Sequence, residues 1–439
     1  MSLRRELGRF DATIVVVGGI IGAGIFINPY LVAQRLPSGP LVLAAWAAGG
    51  LIAAAGAFAF AELATLFPKA GGEYVYLREG WHPLVGFLFG WASLLLIQGG
   101  GLAAVSITFA QYTLRLAGFG PGRAVPLAIV SLAVVAAVNY AGVKPGSRLL
   151  NVLVVAKLAA LAMLIGAGWI FGAGGPITGP KSAAPVSGTT VLAFGAALIP
   201  ILFSYGGWQA VNVVAEEVKE PRRTLPFALV TGIAIVVLVY LLANVIYLQN
   251  LGRDGLAATM TPAADAVRRF AGPRADRFIA TTIAVSAFGF LDLTLLAPTR
   301  ITYAMARDGL LPAGLSRVHP RFETPGLAIL LQAGWSIVLV LTGTFGELVD
   351  TVVFGDWIFF GLTVAAIFVF RRRIPPAERE GGAFLTPGYP VVPALFVAAA
   401  ALVVVSTVWS SPMRSLLGLV LLSSGIPVYL LFARRLEAA

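Results

Sequence analysis

The chain has 439 residues, of which 58% are hydrophobic and only 12% are charged. Water-soluble domains carry about 25% charged residues, so this composition excludes a soluble protein and predicts an all-α polytopic membrane protein. We attribute the net charge of +11 to loop Lys and Arg, not to nucleic-acid binding. The chain has no cysteine, which excludes a disulfide-linked partner subunit, and two histidines are too few for a metal site.

Apolar runs of about 20 residues, the length that crosses the hydrocarbon of a bilayer, recur about twelve times. Short loops with proline, glycine and charged residues separate them. We number these spans in chain order and place them near 11–35, 41–66, 83–114, 123–142, 149–172, 189–217, 225–249, 277–307, 326–344, 347–372, 390–410 and 413–433. We therefore expect one transmembrane domain over 1–439.

Lys and Arg are unevenly divided between the two sets of loops. With the N-terminus in the cytoplasm, about twice as many basic residues lie inside as outside, which is the usual bias of membrane proteins. The loop near 250–276, in which we expect a short helix at 263–270, holds much of the outer basic charge. We therefore expect a multi-pass protein of the plasma membrane with both termini in the cytoplasm.

Two spans contain glycine clusters that should interrupt a helix. The sequence 18–26 lies in span 1, and 203–208 lies in span 6. Lipid cannot satisfy the backbone groups that a break leaves unpaired, so breaks are expected only at a cavity or binding site. Close helix packing is the alternative explanation of the glycines. Clustering beside Phe and Trp favours breaks.

The two breaks lie five spans apart, each in the first span of a set of five. Span 1 begins inside, whereas span 6 begins outside. This arrangement predicts two five-helix repeats of opposite topology, as in transporters of the LeuT type. We place the repeats near 11–172 and 189–372, and two further helices near 390–433. Helices 1 and 6 are expected to be unwound in the middle of the membrane.

Four motifs in this chain resemble the amino acid–polyamine–organocation (APC) superfamily of transporters, especially its L-type amino acid branch. They are the sequences at 19–29, 67–74, 203–226 and 303–312. The resemblance covers nearly the whole chain. It implies an amino acid transporter that works by alternating access.

The breaks also predict how a zwitterion would bind. A half-helix that begins at Gly22-Ala23-Gly24 offers free N–H groups to a carboxylate, whereas half-helices that end near Ile20-Ile21 and Phe203 offer carbonyls to an ammonium. The resemblance implies amine contacts at Ile20, Phe203 and Gly206, and carboxylate contacts at Ala23 and Gly24. The family often has Ser at the position of Ala23, so one hydroxyl contact is missing here. The expected substrate-binding residues are Ile20, Ile21, Gly22, Ala23, Gly24, Phe203, Ser204, Gly206, Trp208 and Gln209.

Lys157 is a basic residue in the middle of span 5. Insertion of a lysine at the bilayer centre costs about 2.5–3.5 kcal/mol, so a lysine there is expected to have a functional role. The alternative is a lysine whose side chain snorkels to the membrane interface. The resemblance implies that Lys157 takes the place of a sodium ion that related transporters bind. The Gly18 carbonyl and Ser286 are the candidate contacts. We therefore expect sodium-independent transport.

Acidic residues within the spans are few. Asp292 lies in span 8, where the family more often has Asn; it could pair with Lys157 or Arg300, or take up a proton during transport. We expect a structural role for Glu62, whereas Asp356 could cap a helix or gate. Side-chain specificity should come from spans 3, 6, 8 and 10, with Trp208 as a gate and with Phe288 and Phe359 as either pocket or core aromatics. The candidates are Gln98, Gly99, Gly100, Trp208, Gln209, Phe288 and Phe359.

These patterns predict a sodium-independent transporter of neutral amino acids, either an exchanger or a proton symporter. A polyamine or other amine carrier is the alternative, and a substrate sensor or channel on the same scaffold is a third possibility. A membrane enzyme would need catalytic carboxylates or histidines at one membrane face, which the sequence does not indicate. We expect no cofactor or metal, a monomer, and only the amino acid and membrane lipid as partners.

Overall fold

The computed structural model describes residues 7–67, 72–142, 147–172, 174–175, 177, 188–209, 218–322, 324–376 and 384–437. Within these ranges the chain forms helices and short turns, and one isolated parallel bridge joins Leu7 to Val218. The helices are α1 (Arg9–Ile20), α2 (Gly24–Arg35), α3 (Gly39–Leu66), α4 (Glu73–Gly80), α5 (Pro83–Ala92), α6 (Gln98–Ala117), α7 (Ala124–Tyr140), α8 (Ser147–Phe171), α9 (Gly188–Tyr205), α10 (Pro221–Ala257), α11 (Pro262–Arg307), α12 (Gly326–Thr342), α13 (Phe345–Arg373), α14 (Val391–Ser410), α15 (Pro412–Ser423) and α16 (Gly425–Glu437).

Most of these helices are long and apolar. In the described part of the chain, 7 helical runs have the length and hydropathy to cross a bilayer, and the bent pair α1–α2 makes up to 8. Shorter apolar helices occur at Val155–Phe171, Val191–Tyr205 and Gly326–Thr342. The chain is therefore a multi-pass membrane protein of the all-α class, as its composition predicts.

The loop predicted near 250–276 is largely helical. Helix α10 is interrupted at Gly252 and ends at Ala257, and α11 begins at Pro262 and is interrupted at Gly272 before it enters the bundle. The short helix predicted at 263–270 is confirmed as the first part of α11. Charged residues made this region look like a loop, but they are compatible with helix that extends beyond the apolar layer.

The helices pack as two groups and a linking helix. In the first group, α10 lies against α1, α2 and α3, and α9 lies against α2 and α3. In the second group, α11 lies against α6, α7, α8 and α12. Helix α13 contacts α6 of the second group, α9 of the first group, and α14.

Ion pairs fix both ends of α13 to the first group. At one end Asp350 accepts from Arg35 of α2 at 2.9 Å. At the other end Arg371 donates to Glu62 of α3 at 2.8 Å. The side chains of Asp350 and Glu62 are only 5% and 0% exposed, so both carboxylates depend on these partners for their stability. The structural role expected for Glu62 agrees with this arrangement.

Candidate functional site

The first break separates α1 from α2 and bends the pair by 44°. Helix α1 ends at Ile20, and the amide of Gly22 turns back to donate to the Ile20 carbonyl at 2.7 Å. Helix α2 begins at Gly24, and its N-cap, Ala23, provides no side-chain hydrogen bond. Because the first N–H groups of a helix have no intrahelical partner, the start of α2 offers donors to a ligand.

The second break begins where α9 ends at Tyr205. The amide of Gly206 donates to the Phe203 carbonyl at 3.3 Å, and the amide of Gly207 donates to Oε1 of Gln209 at 3.0 Å. Gly207 has a φ of 102°, a left-handed conformation that favours glycine. The rest of span 6, residues 210–217 with the motif residues Asn212, Glu216 and Glu217, lies outside the described residues.

The two breaks lie directly against each other. A Cβ added to Gly24 would lie 2.7 Å from the Ser204 hydroxyl oxygen, and one added to Gly207 would overlap the carbonyl of Gly19. Nδ2 of Asn28 donates to the Ser204 hydroxyl at 2.7 Å, which joins α2 to α9. The expected binding residues of span 1 therefore meet those of span 6.

Tyrosine hydroxyls hold the freed carbonyls, which the sequence did not lead us to expect. The hydroxyl of Tyr240 in α10 lies 3.1 Å from the carbonyl oxygens of both Ile20 and Ser204. About two turns further along the same face of α10, Tyr247 donates to the Ile25 carbonyl at 3.3 Å. The spacing of seven residues, which repeats one helix face, is the sequence signal that could have found them. The Ile20 carbonyl, an expected amine ligand, is occupied here by Tyr240 and the Gly22 amide.

Lys157 of α8 lies beside the first break. Its ammonium donates to the Gly18 carbonyl at 2.6 Å, and the residue is only 5% exposed. None of the ion pairs formed by the described residues includes Lys157. The structure thus brings Lys157 and Gly18 together and ties α8 to the end of α1.

The residue of α11 that faces Lys157 is Phe290, not Ser286. The Lys157 ammonium nitrogen lies 5.7 Å from the centre of the Phe290 ring. Within the described part of the chain, Ser286 forms no hydrogen bond to Lys157. The two α11 residues are four positions apart and share a helix face, so the sequence indicated the right face but the wrong turn.

Asp292 is buried at a second contact of α11, away from Lys157. Its Oδ1 accepts from Nδ2 of Asn139 in α7 at 2.6 Å, and its Oδ2 is buried without a hydrogen-bond partner. Asp292 does not form the ion pair with Lys157 that the sequence left open. The side chain of Arg300, the other candidate partner, lies outside the described residues.

Trp208, in the second break, lies at the centre of a cluster of aromatic rings. Its ring packs edge-on against Phe60 at 4.5 Å and obliquely against Phe360 at 5.3 Å. Phe359, which the sequence left open as a pocket or a core aromatic, packs against Phe89 at 5.5 Å. The aromatic ring of α13 that contacts Trp208 is Phe360.

The candidate residues of span 3 begin α6 and directly follow a π-helical turn, Ser93–Ile97, which joins α5 to α6. Its freed carbonyls are bound by α12, because Gln332 donates to Leu94 at 3.2 Å and Trp335 donates to Leu95 at 2.6 Å. A Cβ on Gly99 would lie 2.8 Å from the Trp335 ring, and one on Gly100 would lie 2.6 Å from Val352. These glycines permit close packing with α12 and α13.

Comparison with known proteins identifies the family. The model of the amino acid permease family matches residues 7–432. The chain belongs to the amino acid permease family, within the APC superfamily. This permease is therefore an amino acid transporter and not an enzyme, as the motifs predicted.

Individual relatives of the permease match nearly its whole length. It is 32% identical over 442 residues to large neutral amino acids transporter small subunit 2 of Mus musculus, which covers 98% of the permease and 81% of that relative. It is 31% identical over 435 residues to the serine/threonine exchanger SteT of Bacillus subtilis, with 98% and 97% covered. It is 31% identical over 438 residues to b(0,+)-type amino acid transporter 1 of Mus musculus, with 98% and 88% covered.

Proposed function

We propose that this permease is a sodium-independent exchanger of neutral amino acids that binds the α-amino and α-carboxylate groups of its substrate through the backbone of the two breaks. The observation that carries the proposal is the contact between the breaks, where one Tyr240 hydroxyl lies 3.1 Å from a carbonyl of each. Exchange is favoured because one of the relatives is named as a serine/threonine exchanger.

The architecture that goes with this function has twelve spans in two inverted five-helix repeats, followed by two more helices. The bent pair α1–α2 and the glycine turn after α9 support it. We infer a plasma-membrane location with both termini in the cytoplasm, from the excess of Lys and Arg in the inner loops. The Arg371 end of α13 is then cytoplasmic, and the Asp350 end is external.

Substrate recognition rests on backbone groups at the two breaks, some of which, such as the Phe203 carbonyl, already accept a hydrogen bond within the protein. We assign the carboxylate to the first N–H groups of α2, at Ala23 and Gly24, because a helix N-terminus favours an anion. We assign the ammonium to the carbonyls of Ile21, Phe203 and Gly206, and that of Ile20 would join them when its protein donors move away. The described side chains at the breaks carry no negative charge, which favours a neutral amino acid over a polyamine.

Sodium independence rests on Lys157. Its ammonium binds the Gly18 carbonyl at 2.6 Å, so a positive charge of the protein already occupies a freed carbonyl beside the break.

One relative is named as a small subunit of a transporter. Because our chain has no cysteine, it cannot be disulfide-linked to a second subunit, and we propose that it works as a monomer.

The experiment is uptake into proteoliposomes that contain the purified permease. Vesicles are loaded with unlabelled L-serine, L-alanine or L-leucine, or with buffer, and the entry of the labelled amino acid is measured in sodium or choline buffer. We expect faster uptake into loaded vesicles and no effect of choline. Uptake that requires sodium, or uptake of labelled putrescine without uptake of any amino acid, would contradict the proposal.

A further inference from the structure

Phe290 of α11 lies against the first break. Its ring edge points at Gly22, where the Cζ atom is 3.5 Å from the position that a Cβ would occupy. The aromatic side chain therefore borders the short connection between α1 and α2. An anion that binds the first N–H groups of α2 would lie close to this ring.

The face of the same ring is turned towards Lys157. The ammonium nitrogen lies 5.7 Å from the ring centre, within the distance at which a cation is attracted to an aromatic face. Phe290 thus contacts the break with its edge and the lysine with its face. The ring stands at the boundary between the two.

The lysine replaces a backbone amide at this point. In a continuous α-helix, the carbonyl of Gly18 would accept from the amide of Gly22, four residues later. That amide donates to Ile20 instead, and the Lys157 ammonium takes its place at 2.6 Å from the Gly18 oxygen. A full positive charge is therefore held where the helix ends, next to the expected carboxylate site.

An ammonium group has three N–H donors, and Lys157 has no carboxylate partner among the described residues. A substrate carboxylate that reached it would form a strong pair in this low-dielectric environment. A transporter must release its substrate, and such a pair would slow release. Something must keep the two charges apart.

We propose that Phe290 is a positioning residue that separates the Lys157 ammonium from the substrate carboxylate. With the ring in place, the carboxylate binds only neutral backbone N–H groups, and Lys157 remains bound to Gly18. Without the ring, the lysine can turn to the carboxylate and hold the substrate. This inference rests on the proposed function, since it requires an amino acid at the break.

The test compares the binding of an amino acid with that of its carboxamide, which lacks the negative charge. The dissociation constants of L-alanine and L-alaninamide are measured for the purified permease in nanodiscs, and exchange is measured in proteoliposomes. The variants are F290A, F290L, which keeps most of the volume without the ring, and F290A combined with Lys157→Met. The matched control is F278A, because Phe278 lies on the same helix but its side chain is exposed.

We expect F290A to increase the preference for L-alanine over L-alaninamide about tenfold, or about 1.4 kcal/mol, and to slow exchange. F290L should shift the preference in the same direction, the Lys157→Met change should cancel the shift, and F278A should leave the preference unchanged. Equal shifts in F290A and F278A, or an F290L preference equal to that of the wild type, would overturn the role of Phe290 even if F290A proves unstable. A wild-type permease that exchanges none of the three amino acids would refute the proposed function itself.

Discussion

The Glu62 carboxylate of α3 binds the Arg371 guanidinium of α13 through two parallel hydrogen bonds, each 2.8 Å long. Glu62 accepts a third bond from the backbone amide of Thr386 at 2.8 Å, and the Tyr389 ring covers the guanidinium at 3.9 Å. The pair therefore joins α3, α13 and the segment before α14. Glu62 is fully buried. Because it is the ion-pair partner of Arg371 among the described residues, its loss would leave Arg371 without a counter-charge.

Glu62→Ala should lower the free energy of unfolding by about 3–5 kcal/mol, because removal of one partner strands a buried charge. Thermal unfolding of the purified permease in detergent measures the change. Arg372→Ala is the matched control, since Arg372 follows Arg371 directly and its side chain is exposed. A Glu62→Ala protein that is as stable as the Arg372→Ala protein would contradict this assignment.

Gly24→Ala should abolish transport, since the new Cβ would lie 2.7 Å from the Ser204 hydroxyl oxygen and 2.9 Å from its Cα. Such overlap must push the start of α2 away from the end of α9, where we place the substrate. Uptake in proteoliposomes measures the loss. Gly101→Ala is the control, because no atom lies within 4 Å of a Cβ at Gly101. Equal transport by the two variants would show that the two breaks tolerate separation.

Tyr240→Phe should weaken transport by removing the hydroxyl that lies between the Ile20 and Ser204 carbonyls. A lost buried hydrogen bond costs about 1–3 kcal/mol, so we expect transport efficiency to fall roughly tenfold. The measurement is the ratio of maximal exchange rate to half-saturating concentration. Tyr205→Phe provides the comparison, since the Tyr205 hydroxyl donates to the Trp46 carbonyl of α3 at 3.2 Å and not to a carbonyl of either break. Transport that falls equally in both variants would remove the special role of Tyr240.

The stability of the permease should depend on pH through Glu73 in α4, which lies outside the membrane-spanning helices. Burial, with a smaller contribution from the nearby Asp356 carboxylate, raises the pKa of Glu73 well above its usual value. The folded state therefore favours neutral Glu73. Its contribution to stability is complete below the ordinary glutamate pKa and is lost as pH rises through the raised pKa.

Glu73→Gln should therefore reduce the fall in melting temperature that the wild type shows from mildly acidic to alkaline pH. Thermal unfolding across this pH range measures the effect. Glu79→Gln on the same helix should retain the wild-type pH dependence, because the Glu79 side chain is 47% exposed. Identical pH profiles for wild type and Glu73→Gln would contradict the role of Glu73.

The sequence predicted the all-α membrane class and the first break for simple physical reasons. A span needs about 20 apolar residues, and glycine is a weak helix former, so the glycines between 18 and 24 can end a helix. Both signals are local, so they can be read without coordinates. Helix ends are less local: α10 leaves helical geometry at Gly252, close to the predicted end near 249, but a further short helical stretch then runs to Ala257.

Side-chain partners depend on how each helix is rotated against its neighbours, which a single sequence does not specify. Ser286 was expected to meet Lys157, but Phe290, one turn further along α11, faces it. Phe360 packs on Trp208, a contact that the sequence did not predict. The π-helical turn at Ser93–Ile97 was also missed, because its carbonyls are satisfied by Gln332 and Trp335 of a distant helix.

Helix α13 presents an acid near one end, Asp350, and a base near the other, Arg371, and each is bound to the first helix group. The helix has 29 residues, so it is about 43 Å long and spans the full thickness of the bundle. A rigid tilt that moved one end of α13 away from the first helix group would therefore have to break the ion pair at that end, while the other pair could serve as a pivot.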